Sequence, residues 1–142
     1  MAVLALAAGA LLPTLTQAQT GKQAWTQAAV SPGLHSLGQA MSVTYRPANA
    51  VPPGAVITAV YADRDYFGQA DVQTSLCWGG PQHCVDIVGR SINSRAFKGL
   101  DARQPMLLVH RVRAWNGSHR PLYIKGNVTV WYGPPPSEHT TQ

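Results

Sequence analysis

Charged residues are scarce in this chain, and carboxylates are the scarcest of them. Only 12% of the 142 residues are Asp, Glu, Lys or Arg, and six of these are acidic. Among the six, only Asp63 and Asp65 are spaced to share a strand face. With Arg64 between them they read as a solvated strand end rather than the paired acids of hydrolytic catalysis. The five histidines show neither metal-ligand spacing nor an adjacent nucleophile motif. His110 reads as a hydrogen-bonded core histidine. No glycine-rich phosphate loop is present, because Gly79-Gly80 falls inside a turn. Helical periodicity is hard to find, and after Leu12 no apolar run is long enough to span a bilayer. There are two cysteines, too few for a cysteine-only zinc site. Cys77, His83 and Cys84 would supply three zinc ligands without a fourth. The expectation is therefore a protein without catalysis, cofactor, bound metal or membrane span in its mature form.

The two cysteines mark the most informative stretch, Val72-Gln-Thr-Ser-Leu-Cys-Trp-Gly-Gly-Pro-Gln-His-Cys-Val-Asp-Ile-Val-Gly89. Placing Cys77 opposite Cys84 on antiparallel strands pairs Trp78 with His83 and Gly79 with Gln82. Gly80-Pro81 is then a two-residue turn with glycine where a positive φ is required. The same register pairs Leu76 with Val85 and Thr74 with Ile87. It gathers Val72, Leu76, Trp78, Val85 and Ile87 on one face, and Ser75, Asp86 and the cysteines on the other. A slip of one residue would scramble that sorting. A Cys77–Cys84 disulfide is expected, since an exported chain meets an oxidising compartment.

Export is read from the beginning of the chain. Ala2–Leu12 is a short apolar run, Pro13 follows, and Thr16-Gln-Ala18 offers the small residues that a signal peptidase reads. Residues 1–18 are thus expected to be a cleavable leader, although no Lys or Arg precedes Lys22. Residues 19–132 form one expected domain and 133–142 a disordered Pro-rich tail. The formal net charge of +5 and a pI near 9.6 favour anionic partners. Thirteen glycines and eleven prolines punctuate short strand-like runs. These lie near 24–30, 40–46, 55–66, 72–78, 83–89, 95–98, 106–115 and 122–132, which indicates an antiparallel β-sandwich or barrel. Val56-Ile-Thr-Ala-Val-Tyr61 is apolar on both faces, as a central strand is. Gly126 is read as marking a bulge.

The last strand alternates. Leu122, Ile124, Val128, Val130 and Tyr132 form a buried face, and Tyr123, Lys125, Asn127, Thr129 and Trp131 a wet one. Arg111, Arg113, Trp115, His119 and Arg120 lie nearby in sequence, and Asn116-Gly117 signals a turn. A basic, aromatic C-terminal hairpin with Arg111, Arg113, Arg120, Tyr123, Lys125 and Trp131 is therefore the expected binding face. Asn116-Gly-Ser118 and Asn127-Val-Thr129 match glycosylation acceptors but read as turn and strand residues. Nucleic acid is not an expected partner outside the cytoplasm.

Several of these features, in order, resemble the FlhE family of small periplasmic proteins encoded with flagellar export genes. They are Trp25, Leu76-Cys77 with Cys84-Val-Asp-Ile-Val-Gly89, Phe97-Lys-Gly99-Leu, Pro105, and Pro121-Leu-Tyr-Ile-Lys-Gly-Asn-Val-Thr-Val-Trp-Tyr132. The loop between the cysteines and the loop before the closing strand depart from the family pattern. The resemblance implies a β-sandwich without catalysis, acting in flagellar type III export or assembly. The implied roles are guarding the export gate and chaperone-like control of flagellar subunits, with export or basal-body proteins as partners. The rival expectations are a peptidoglycan- or carbohydrate-binding module and an inhibitor of cell-wall hydrolases. The basic pI opposes association with a basic lysozyme.

Overall fold

A computed structural model describes residues 23–136. The expected leader, residues 1–18, and most of the expected tail fall outside the described residues. Among the described residues eight strands form: β1 (Gln23–Val30), β2 (Met41–Tyr45), β3 (Val56–Asp65), β4 (Asp71–Trp78), β5 (Cys84–Ile87), β6 (Ser91–Ser94), β7 (Met106–Ala114) and β8 (Lys125–Gly133). They make two four-stranded sheets, ordered β1-β8-β3-β6 and β2-β7-β4-β5, with every strand pair antiparallel. The fold is the expected all-β sandwich.

Alternation along the strands builds the core. From β8, Val128, Val130 and Tyr132 point inward; from β7, Met106, Leu108 and Val112; from β3, Ile57, Val60 and Ala62. Burying one such side chain contributes roughly 1.5–3 kcal/mol, and these rows meet between the sheets. β3 lies inside its sheet, as its two apolar faces indicated. Trp25 is buried, and its indole N–H donates to the Ala102 carbonyl (3.2 Å). The Trp78 indole donates to the neighbouring Asp101 carbonyl (2.9 Å), so one connecting loop anchors two tryptophans.

The disulfide hairpin has the expected register: Cys77↔Cys84, Leu76↔Val85, Ser75↔Asp86 and Thr74↔Ile87, with Sγ–Sγ 2.07 Å. That bond consumes the thiolates a zinc ion would need. Trp78 N–H also donates to the His83 carbonyl (2.9 Å). Beyond this pair the turn differs from expectation. The positive φ (70°) falls on Gly79 rather than Gly80. The Gly79 N–H donates to the Pro105 carbonyl (2.8 Å) instead of pairing with Gln82. A contact to the chain entering β7 thus widens the two-residue turn into a longer loop. Cys84 is exposed as expected, but Cys77 is buried.

Three other expectations are corrected. The strand expected at 95–98 lies earlier, at Ser91–Ser94. Phe97 instead sits in a turn, where Lys98 N–H donates to Arg95 O (3.1 Å), and its ring is fully buried. Gly126 marks no bulge: the register of β3 with β8 shifts between Ile57 and Ala59. Gly126 instead faces inward, against Tyr45 and Leu108 of the other sheet. A Cβ there would stand 2.7 Å from Leu108 Cδ1 and would collide with the Tyr45 hydroxyl. Finally, β7 and β8 do not form a hairpin. The Asn116-Gly117 turn exists, with φ of 48° and 84° and Ser118 N–H donating to Trp115 O (2.8 Å). However, both edges of β7 are already paired, to β2 and to β4. The chain therefore crosses to the other sheet and enters between β1 and β3.

Candidate functional site

This crossover decides what becomes of the expected binding face. Lys125 and Trp131 lie on the outer side of β1-β8-β3-β6, with Tyr123 just before β8. Arg111 and Arg113 project from the outer side of β2-β7-β4-β5, the opposite surface of the sandwich. Arg120 belongs to the crossover, with its guanidinium carbon 4.8 Å from the centre of the Trp115 ring. The six residues are accessible but form two faces and a loop rather than one site.

Trp131 has the more developed surroundings. Its partners on either side are Ala24 in β1 and Ala59 in β3. Small neighbours leave the indole 39% exposed above a low floor. Along the same outer face Thr26 and Thr129 share a hydrogen bond (2.9 Å), and Asn127 Nδ2 donates to Asp63 Oδ1 (2.9 Å). Asp65 pairs with Arg90 (3.1 Å) rather than with Asp63, and both partners are exposed. On the opposite sheet Gln73, Ser75, Val109 and Arg111 border a trough of about 360 Å³ beside the disulfide.

Between the sheets runs a polar chain. Arg64 closes one end of β3 and reaches across to β4, where its Nη1 donates to Thr74 Oγ1 (2.8 Å) and to the Val72 carbonyl. Its Nε donates to the Gly89 carbonyl (2.9 Å). Thr74 Oγ1 in turn lies 2.9 Å from His110 Nδ1, with both residues fully buried. Burial, followed by the nearby Arg64 charge, pushes the His110 pKa down to about 4. The imidazole is therefore neutral, a core histidine as expected. Because Arg64 can only donate, the threonine hydroxyl is free to donate to Nδ1. No described group bonds Nε2.

The fold superposes on the crystal structure of FLHE with a TM-score of 0.64. The alignment covers 80% of this chain and 98% of that one, at 22% sequence identity. No family model matches the sequence, and no curated protein does. The likeness to FLHE is thus one of fold.

Sequence reasoning overlooked one surface. Apart from Trp131, the large apolar side chains that stand exposed among the described residues are Val30, Leu37, Phe67, Val88 and Tyr123. All of these lie at the end of the sandwich where β1, β3, β5 and β7 finish. Each is isolated in sequence, so no local pattern announces them together.

Proposed function

We propose that this protein is a non-enzymatic periplasmic accessory factor of flagellar type III export and assembly, working by binding rather than by turnover. The observation that carries this reading is the correspondence with FLHE over nearly the whole of that chain. It joins the ordered motifs that resemble the FlhE family. The disulfide supports an oxidising compartment, which for a bacterial exported protein is the periplasm. The partners in this reading are export or basal-body proteins, engaged to guard the export gate or to restrain flagellar subunits. The test is deletion of the gene in its flagellated host, followed by complementation. Loss of normal flagellar placement or envelope integrity, restored by the exported protein, is the expected result. A deletion strain with normal flagella and an intact envelope overturns the reading.

A second reading rests on Trp131. An exposed indole over alanines, beside the Thr26–Thr129 hydroxyl pair, is suited to stacking against a sugar ring. This favours peptidoglycan or another glycan as ligand. Co-sedimentation with purified cell-wall sacculi, lost in Trp131→Ala, supports this reading; retention of the variant on sacculi excludes it.

A further inference from the structure

Four connections meet at one end of the sandwich, and each presents an exposed apolar side chain. They are Leu37 between β1 and β2, Phe67 between β3 and β4, Val88 between β5 and β6, and Tyr123 between β7 and β8. Phe67 is 95% exposed and Val88 90%, so neither contributes to the core. One such side chain alone is ordinary, but several gathered at one end of a domain mark a surface that meets a partner.

Phe67 is also held in place. Ser118 Oγ accepts hydrogen bonds from the Gln69 and Ala70 N–H groups (2.9 and 2.8 Å). Asn116 Nδ2 donates to the Gln69 carbonyl (3.1 Å), and the Tyr66 hydroxyl donates to the Ala70 carbonyl (2.9 Å). Gly68 adopts φ 102°, and a Cβ there would stand 2.6 Å from Ser118 Oγ. Two loops are thus braced against each other with the ring directed outward. A loop whose backbone is already braced loses little further freedom on binding, which favours an anchor over a loose loop tip.

The tips are interspersed with charge. Arg90, Arg113, Arg120 and Lys125 are exposed around this end, against the carboxylates of Asp71, Asp86 and Asp65, the last of which pairs with Arg90. The half-buried Arg64 lies beneath them. The excess is cationic. Single apolar tips on separate loops, surrounded by Arg and Lys with an amphipathic tyrosine among them, fit a surface that is flat, apolar below and anionic above. We propose that this loop end docks onto the headgroup layer of an anionic phospholipid bilayer, with Phe67 and Val88 entering the acyl boundary and the cations contacting lipid phosphates.

The test uses vesicles of phosphatidylcholine alone and of phosphatidylcholine with phosphatidylglycerol, mixed with the purified protein and sedimented. The protein is expected to bind the anionic vesicles, and high salt to weaken that binding. Phe67→Ser should reduce it about tenfold, as should Val88→Ser, because each removes one apolar side chain from the contact. Both positions are exposed, so thermal unfolding should be unchanged. Arg90→Gln combined with Arg120→Gln and Lys125→Gln should abolish the preference for phosphatidylglycerol. Trp131→Ala, at the far end of β8, should bind as wild type does. The proposal is overturned if the protein leaves anionic vesicles in the supernatant. It is equally overturned if Phe67→Ser binds them unchanged, or if Phe67 is needed only to capture a flagellar protein in the absence of lipid.

Discussion

Thr74 and His110 share a hydrogen bond of 2.9 Å in the interior of the sandwich, and Arg64 bonds the same hydroxyl from the other sheet. The arrangement commits His110 to its neutral form. Its pKa is about 4 in the folded protein, against an ordinary 6.5 once the chain unfolds. Between those values the unfolded state binds more protons, so stability falls as pH falls. The effect is absent above about pH 7 and amounts to roughly 3 kcal/mol near pH 4. Denaturant unfolding across that range should show the loss, and His110→Gln should remove this part of the slope. Equal slopes in the two proteins would refute the assignment.

Gly126→Ala should destabilise the fold by about 1–3 kcal/mol, the range for overpacking a dense interior. The added Cβ meets Leu108 and the Tyr45 hydroxyl at once. Removing that hydroxyl with Tyr45→Phe should recover part of the loss. A thermal melt of the double variant no higher than that of Gly126→Ala would show that the collision lies elsewhere.

Reducing Cys77–Cys84 should lower stability by about 2 kcal/mol without unfolding the protein, since a short closed loop restricts the unfolded chain only modestly. Backbone pairing holds the register on either side of the bond without it. Urea midpoints with and without reductant measure the difference. Collapse of the fold in reductant alone would assign the hairpin a larger role.

The surface variants should separate. Trp131 and the Arg111–Arg113 pair lie on opposite sides of the sandwich, so their effects on any one partner should be independent. A true anchor among them should cost about 2 kcal/mol of binding when truncated to Ala. Complementation of flagellar placement in a host lacking the native copy, and binding to sacculi, should each respond to one set and not to the other. Equal dependence of a single activity on both would require a partner that wraps the molecule.

The cysteine hairpin was legible because two independent patterns, apolar alternation and a unique cysteine pair, demanded the same register. The buried side of β8 was legible for the first of these reasons alone. Ser91-Ile-Asn-Ser94 carries almost no strand propensity, and its pairing with β3 is a tertiary effect that local composition does not encode. The C-terminal hairpin misled because neighbours in sequence usually pair, and nothing local records that both edges of β7 are taken. The binding face inherited that error, which joined Arg111 and Arg113 to residues now on the other sheet. Phe67 and Val88 gave no signal because isolated exposed apolar residues are ordinary. They acquire meaning only when the topology sets them side by side.

The pairing of Gln23 with Tyr132 places the start of β1 beside the finish of β8. The described chain thus enters and leaves the sandwich at the end lined by Pro52, Pro53, Pro134 and Pro135. The eight residues of β1 separate that end from Phe67 and Val88, a span of about 25 Å. A fluorescent domain joined directly at Gln23 or Pro136 would accordingly report on the protein without shielding the loop tips. Tethering the chain to a sensor chip at either of these residues would present those tips outward to whatever flows past.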